Sequence, residues 1–145
     1  MNDKLVSSSG SIVGGGTLTV NNAGAALQGG DVFYLFSQPV NGFTTVNLPA
    51  LPVGNVWQDH LAIDGSIRVV STNAAGLMIE TSAGNQLTLA WPADHTGWRL
   101  QAQTNDLAFG LGTNWTDVAG SGATNEMVLP LDPTAGSIFF RLKYP

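Results

Sequence analysis

The sequence predicts an all-β protein, built as an antiparallel β-sandwich of about ten short strands. Runs in which apolar and polar residues alternate recur along the whole chain, which is the two-residue period of a half-buried strand. No window keeps apolar residues at helical spacing over about ten residues, so we expect no substantial helix. The 18 glycines and seven prolines among the 145 residues separate the alternating runs and mark turns between them.

The first half of the chain contains five predicted strands. They cover residues 17–20, 32–36, 43–46, 61–63 and 67–70. Asn41-Gly42 and Asp64-Gly65 each separate two of these runs and predict hairpin turns, because such residues tolerate positive φ. Both faces of the second run are apolar, so we expect this strand to be covered on both sides, with Tyr34 in the core.

Five further strands are predicted in the second half. They cover residues 77–81, 86–91, 98–103, 126–131 and 138–144, with a turn at residues 83–85. Trp91 and Trp98 each share a face with leucines of their own strand, so we expect both in the core. Gln101 and Gln103 lie on the opposite face from Trp98.

The two halves differ in composition, and a sub-division into a Gly-rich part (1–72) and a Trp-rich part (73–145) is the alternative to one module covering 1–145. Each half has only about 72 residues and no cysteine, a size at which a hydrophobic core is marginal. We therefore expect the chain to behave as one cooperative unit.

Composition excludes several functional classes. Five Lys and Arg stand against ten Asp and Glu, for a net charge of −5, so there is no basic footprint for nucleic acid or anionic lipid. The absence of cysteine excludes disulfides, thiol catalysis and Cys-ligated zinc. No apolar run approaches the roughly 18 residues of a membrane span, and the first residues lack the apolar stretch of a secretory signal. Only 10% of residues are charged, and such a surface suits neutral ligands.

Catalytic and metal-binding motifs are missing from the sequence. Two Asp-His pairs occur, Asp59-His60 and Asp94-His95, but neighbouring residues of a strand point to opposite faces, so we expect turn residues rather than ligand pairs. A glycoside hydrolase, which needs two facing carboxyls, is the enzymatic alternative to a non-catalytic protein. We expect no cofactor; calcium suits secreted β-sandwiches, but no calcium-loop motif is present.

Aromatic side chains carry the binding hypothesis, because indole and phenol rings stack on the apolar faces of sugars. Trp57 and Trp115 have polar neighbours on their predicted strands and loops, which favours exposure. The candidates are Trp57 and Trp115, their polar neighbours Gln58, Asp59 and Asn114, and two loop phenylalanines, Phe43 and Phe109.

Two parts of the chain resemble a known family. The motifs GTLTV (16–20), GDVFYLF (30–36), VW (56–57) and IDGSIRV (63–69) resemble the segment that closes the β-helical part of large secreted bacterial proteins with autotransporter-associated β-strand repeats. The motifs QLTLAWP (86–92), GWRLQ (97–101), NWTDV (114–118) and FFRL (139–142) resemble the fibronectin-type-III-like module that ends such proteins. They are also similar to accessory modules of secreted polysaccharide-degrading enzymes. The resemblance implies a secreted or cell-surface location and no catalytic residue.

Together these observations predict a non-catalytic carbohydrate-binding module, tethered within a longer secreted protein and binding neutral β-glucan, xyloglucan or xylan. The alternative is a structural cap or anchoring module with no small ligand. Residues 1–20, rich in Gly and Thr, could continue a β-ladder whose open edge a cap must cover. Exposure of the tryptophans discriminates between the two hypotheses.

Overall fold

A computed structural model of the chain describes residues 2–82, 84–106, 108, 110–132, 134 and 136–145. The described residues form eleven strands, one single-turn α-helix and two short 3-10 turns, which confirms the all-β prediction. No helix in these ranges is long and apolar enough to cross a membrane. The chain divides into two compact units, an N-terminal unit (Met1–Asn73) and a C-terminal unit (Ala74–Pro145).

The N-terminal unit contains the first five strands and the α-helical turn. These are β1 (Thr17–Thr19), β2 (Val32–Tyr34), β3 (Thr45–Asn47), β4 (Asn55–His60), α1 (Leu61–Asp64) and β5 (Ser66–Ser71). β2, β5 and β4 form an antiparallel sheet in that order, whereas β1 and β3 pair in parallel. The parallel pair is the one departure from the expected antiparallel architecture among the described strands.

Two predicted hairpins of this unit take a different form. Asn41-Gly42 does not join paired strands, because β2 pairs with β5 and β3 pairs with β1. A type I′ turn requires positive φ at both central residues, and here only Gly42 has it. Residues 61–63, predicted as a strand, belong to α1, which ends at Gly65 in the left-handed conformation and leads into β5.

The prediction that Tyr34 lies in the core is wrong. β2 is an edge strand, with β5 on one side, and Tyr34 is 46% exposed. Its ring instead faces the ammonium group of Lys4, 5.6 Å from the ring centroid. The apolar residues on both faces of 32–36 predicted a central strand, but β2 lies at the edge of its sheet.

The C-terminal unit contains six strands in two antiparallel sheets. The strands are β6 (Met78–Ser82), β7 (Gln86–Ala90), β8 (Arg99–Asn105), β9 (Thr116–Asp117), β10 (Glu126–Pro130) and β11 (Ser137–Lys143), with 3-10 turns at Ala93–His95 and Ser121–Ala123. The sheet orders are β10-β7-β6 and β11-β8-β9. Between β6 and β7, Gly84 and Asn85 both have positive φ, as the predicted turn requires; Ala83 lies outside the described residues.

The cores of both units are built from the inward faces of these strands. In the C-terminal unit, leucines of β7 and β8 form a buried cluster with Trp91, which is 1% exposed. Side chains from β10 and β11 pack against this cluster, so the two sheets form a sandwich. Trp98 is also buried, and its position and that of Trp91 confirm the alternation argument.

Candidate functional site

The five residues predicted to bind a ligand lie in different units. Trp57, Gln58 and Asp59 are consecutive on β4 of the N-terminal unit, whereas Asn114 and Trp115 precede β9 of the C-terminal unit. Phe43 packs beside the ring of Phe36, and Phe109 lies outside the described residues. We therefore consider each region separately.

Trp57 packs against the core of the N-terminal unit. It is half-buried, its indole N–H donates to the carbonyl of Pro49 (2.8 Å), and its ring lies 6.1 Å from that of Phe33, measured between centroids. Pairing with the buried Val69 on β5 directs the indole toward the core. These contacts hold the ring inside the unit and leave only part of it accessible to a ligand.

The polar neighbours of Trp57 have local structural partners. Gln58 is half-buried, and Asp59 is exposed and accepts a hydrogen bond from the backbone N–H of Leu61 (2.8 Å), which stabilises the turn into α1. His60 has a buried Nδ1 without a hydrogen-bond partner in the described part of the chain. Burial lowers the pKa of His60, and the positive charge of Arg68 lowers it further.

Trp115 lies over the outer face of the β9-β8-β11 sheet. Continuing the β8–β9 register places it opposite Gln103, and its ring reaches Arg141 on β11, whose guanidinium carbon lies 4.2 Å from the ring centroid. Beneath it, Gln101 and Gln103 are only 5% and 2% exposed although they point away from the core. Trp115, itself half-buried, thus belongs to a polar layer that sequence alternation alone does not distinguish from an exposed face.

Hydrogen bonds join the side chains of this layer. Gln103 donates to the side-chain oxygen of Asn114 and accepts from the N–H of Gly112 (3.0 Å), so the loop before β9 folds onto β8. Gln101 donates to Asp117 (2.6 Å), and this bond lowers the pKa of Asp117. Arg99 lowers the pKa further, whereas desolvation opposes both effects. We refer to this set of side chains as the outer layer. Its members are Arg99, Gln101, Gln103, Asn114, Trp115, Asp117, Phe139, Arg141 and Lys143.

The second Asp-His pair, Asp94-His95, lies in the 3-10 turn Ala93–His95. His95 donates a hydrogen bond from Nδ1 to Oδ1 of Asp94 (2.7 Å), and its ring packs edge-on against Trp98. Within the described ranges, no group of three His, Asp or Glu side chains has a geometry suited to a metal ion.

The second feature is a parallel pairing of two segments in the N-terminal unit. The sequence analysis predicts only that residues 1–20 could continue a β-ladder. Residues 2–20, which we call the first coil, run parallel to residues 34–47, the second coil. Leu5 N–H bonds to Leu35 O (2.8 Å), Gly14 N–H to Asn41 O (2.9 Å), and further bonds join β1 to β3. Hydrogen-bonded partners are 27 to 32 residues apart along the chain.

On the other side, residues 34–40 of the second coil are covered by residues 61–71, which run in the opposite direction; we call residues 61–71 the reversal. β5 pairs antiparallel with β2, the N–H groups of Leu35 and Phe36 both donate to Gly65 O (3.0 and 3.1 Å), and Val40 N–H donates to Leu61 O (2.7 Å). One core is shared by the first coil, the second coil, the reversal and three residues next to them in the chain, Phe33, Leu48 and Trp57. It contains Ile12, Leu18, Val20, Phe33, Leu35, Phe36, Val40, Phe43, Val46, Leu48, Trp57, Leu61 and Ile67.

Comparison with known proteins identifies no relative. No protein-family model matches the sequence, no curated protein is significantly similar to it, and no solved structure is significantly similar to the fold.

Proposed function

We propose that the protein is a non-catalytic structural module whose N-terminal unit caps the end of a parallel β-ladder. The observation that carries this proposal is the change of direction at Phe36 of the second coil: Leu5 of the first coil pairs with it in parallel, and on its other side its N–H donates to Gly65 O of the antiparallel reversal. The resemblance to the closing segment of β-helical proteins supports the same function. We also propose that the protein lies outside the cell, as one part of a longer secreted chain.

Stacked parallel coils need such a termination. The last coil of any stack exposes unpaired N–H and C=O groups that recruit further strands, and terminal repeats of solenoids are therefore modified. Here the reversal accepts the N–H groups of Leu35, Phe36 and Val40 that would otherwise face the next coil. The cap thus satisfies backbone groups within residues 35–40 of the second coil, whereas β3 has β1 as its one partner among the described strands.

The first coil retains the features of an internal coil. The bonds from Thr45 N–H to Gly16 O and from Val20 N–H to Asn47 O mean that alternate residues face β3, so the backbone groups of Thr17 and Thr19 point away from it. Both threonines are exposed. We infer that this edge pairs with a preceding coil of the same ladder.

A duplication tests the proposal. A copy of residues 2–33 is placed before Asn2, so that the copy continues the separation of 32 residues seen between Asn2 and Tyr34. We expect the copy to fold and to protect the Thr17 and Thr19 amides from hydrogen exchange. The matched control carries Leu18→Pro and Val20→Pro in the copy only, which removes the N–H donors that face the original coil. An unfolded copy, or equal exchange at Thr17 and Thr19 in both proteins, would contradict the proposal.

Glycan binding is the second candidate function, and Trp115 is the observation that favours it. Its indole is half-buried, with the exposed side chains of Asn114 and Asp117 beside it. The test is a calorimetric titration with xyloglucan, β-glucan and xylan. Trp115→Ala is compared with Trp57→Ala as the paired control. If none of the three glycans gives heat, neutral glycans are excluded as ligands.

A further inference from the structure

Three of the five basic residues of the chain lie together in the outer layer. Arg141 and Lys143 are two residues apart on β11, and Arg99 on β8 is the direct cross-strand partner of Lys143. Residues two apart on a strand share a face at a spacing of about 7 Å, and paired residues are about 5 Å apart. The cluster is therefore compact, on a chain whose net charge is −5.

Arg141 is held in one orientation by two neighbours. Its Nε donates to Oε1 of Gln101 (2.8 Å), and its guanidinium lies over the Trp115 ring. Gln101 is itself fixed by its bond to Asp117. A guanidinium that is positioned in advance loses less conformational entropy when it binds a planar carboxylate through two parallel hydrogen bonds.

The charge of this cluster is only partly neutralised. Asp117 forms an ion pair with Arg99 (3.0 Å), whereas neither Arg141 nor Lys143 forms an ion pair with any described residue. Both side chains are exposed, and the terminal nitrogens of Arg141 have no hydrogen-bond partner within the described ranges. Asp117 is also close enough to Lys143 for the lysine charge to help lower the pKa of Asp117, so one carboxylate lies among three basic side chains. The positive charge that remains makes this surface complementary to an anion.

We propose that Arg141 and Lys143 bind the carboxylate of an acidic glycan, a chain that contains uronic acids. Arg141 donates to both carboxylate oxygens, and Lys143 adds a second positive charge. The half-buried indole of Trp115 and the exposed Asn114 favour a sugar as the carrier of the carboxylate. Part of the indole stays accessible, and the Asn114 amide keeps one N–H beyond its bonds with Gln103 and Asn105 for a sugar hydroxyl. The inference rests on the glycan candidate and changes its ligand from neutral to acidic; it is independent of the β-ladder cap.

The probe is polygalacturonate, titrated into the full chain by calorimetry at about 50 mM and about 500 mM salt. We expect binding at low salt that weakens at high salt, since exposed charges are screened. Arg141→Gln should weaken binding about tenfold, because it removes a charge-assisted bidentate contact. Lys143→Gln should weaken it about threefold. Lys4→Gln, which removes one equally exposed charge from the N-terminal unit, is the matched control and should leave binding unchanged.

Several results would overturn the inference. Polygalacturonate that does not bind, or that binds Lys4→Gln as poorly as Lys143→Gln, would exclude a local site. Polyglutamate that binds as tightly would identify an acidic peptide as the ligand class. If xyloglucan binds and polygalacturonate does not, the glycan candidate stands and the acidic class is wrong. Because Arg141 also packs on Trp115, the Lys143→Gln result decides if Arg141→Gln does not fold.

Discussion

Gly65 illustrates how one residue determines the reversal. It adopts φ +77°, and a Cβ built on it would lie 2.5 Å from the carbonyl oxygen of Gln38 and 2.8 Å from that of Phe36. Both neighbours are backbone atoms of the second coil, so they cannot move aside without disturbing the ladder. The close approach that lets Gly65 accept two hydrogen bonds therefore requires a residue without a side chain.

Replacement of Gly65 should lower the free energy of unfolding, and a control glycine separates the steric clash from the backbone strain. We expect Gly65→Ala to lower the free energy of unfolding by about 2 to 4 kcal/mol, from left-handed strain and the steric clash together. Gly10 has the similar φ of +80° but nothing within 4 Å of a Cβ, so Gly10→Ala should cost only about 1 kcal/mol. Urea unfolding of both variants measures the difference, and equal costs would show that the close approach is not needed.

His60 makes stability depend on pH. Its pKa is below the ordinary value of 6.5 in the folded chain, because desolvation and Arg68 disfavour its charged form more than Asp64 and Asp59 favour it. As pH falls below 6.5, the unfolded chain takes up the proton first, so stability decreases until the folded pKa is reached. Asp64 adds a loss at more acidic pH: despite desolvation, hydrogen bonds from Ser66 and Arg68 lower its pKa below 3.8.

We therefore expect the urea midpoint to decrease between about pH 7.5 and about pH 5.5, the window of the histidine. His60→Gln cannot be protonated there and should show a smaller decrease over the same interval. A midpoint that depends on pH equally in both proteins would assign the effect to other groups.

At the level of elements, β6 and β7 show how burial differs within one strand pair. Leu89 on β7 and Ile79 on β6 are direct cross-strand partners, yet Leu89 is fully buried and Ile79 is 60% exposed. β7 is the central strand of its sheet and β6 an edge strand. Two hydrophobic residues paired across neighbouring strands can therefore differ in burial, because other side chains cover the central strand but not the edge strand.

This pair provides a test of the C-terminal core. Leu89→Ala should destabilise the chain by about 2 to 5 kcal/mol through lost burial and a residual cavity. Ile79→Ala removes a similar volume from an exposed position and should cost less than about 1 kcal/mol. Thermal unfolding of the two variants measures the contrast; comparable losses would mean that β6 is covered in solution.

Local sequence signals predicted most strands but, apart from the turn between β6 and β7, not which strands pair. The alternation over residues 86–91 and 138–144 correctly indicated strands, because a half-buried strand imposes that pattern on its own residues. The parallel pairing of Thr17 with Thr45 left no local signal, since it joins segments 28 residues apart. Likewise, alternation placed Gln101 and Gln103 on the outer face, but their burial depends on how the loop before β9 folds back over them.

For the whole molecule, the central question is whether its two units unfold together. Each has its own core, and each is small enough that this core alone is marginal. Cooperative unfolding of the full chain thus stays a prediction from size.

Calorimetry of the full chain tests this prediction. We expect a single transition that both Gly65→Ala and Leu89→Ala shift to lower temperature, by about 3 °C for each kcal/mol lost. Two transitions, each responding to the variant in its own unit, would show that the units are independent.

The reversal also gives the N-terminal unit a polarity. Its two ends are chemically different, because residues 35–40 of the second coil bind a segment of opposite direction whereas the first coil keeps outward-pointing backbone groups at Thr17 and Thr19. Fused behind a designed fibre of matching coils, such a unit would act as a stopper and set the fibre's length. Growth would then proceed from one end alone, as in a polymer with a blocked terminus.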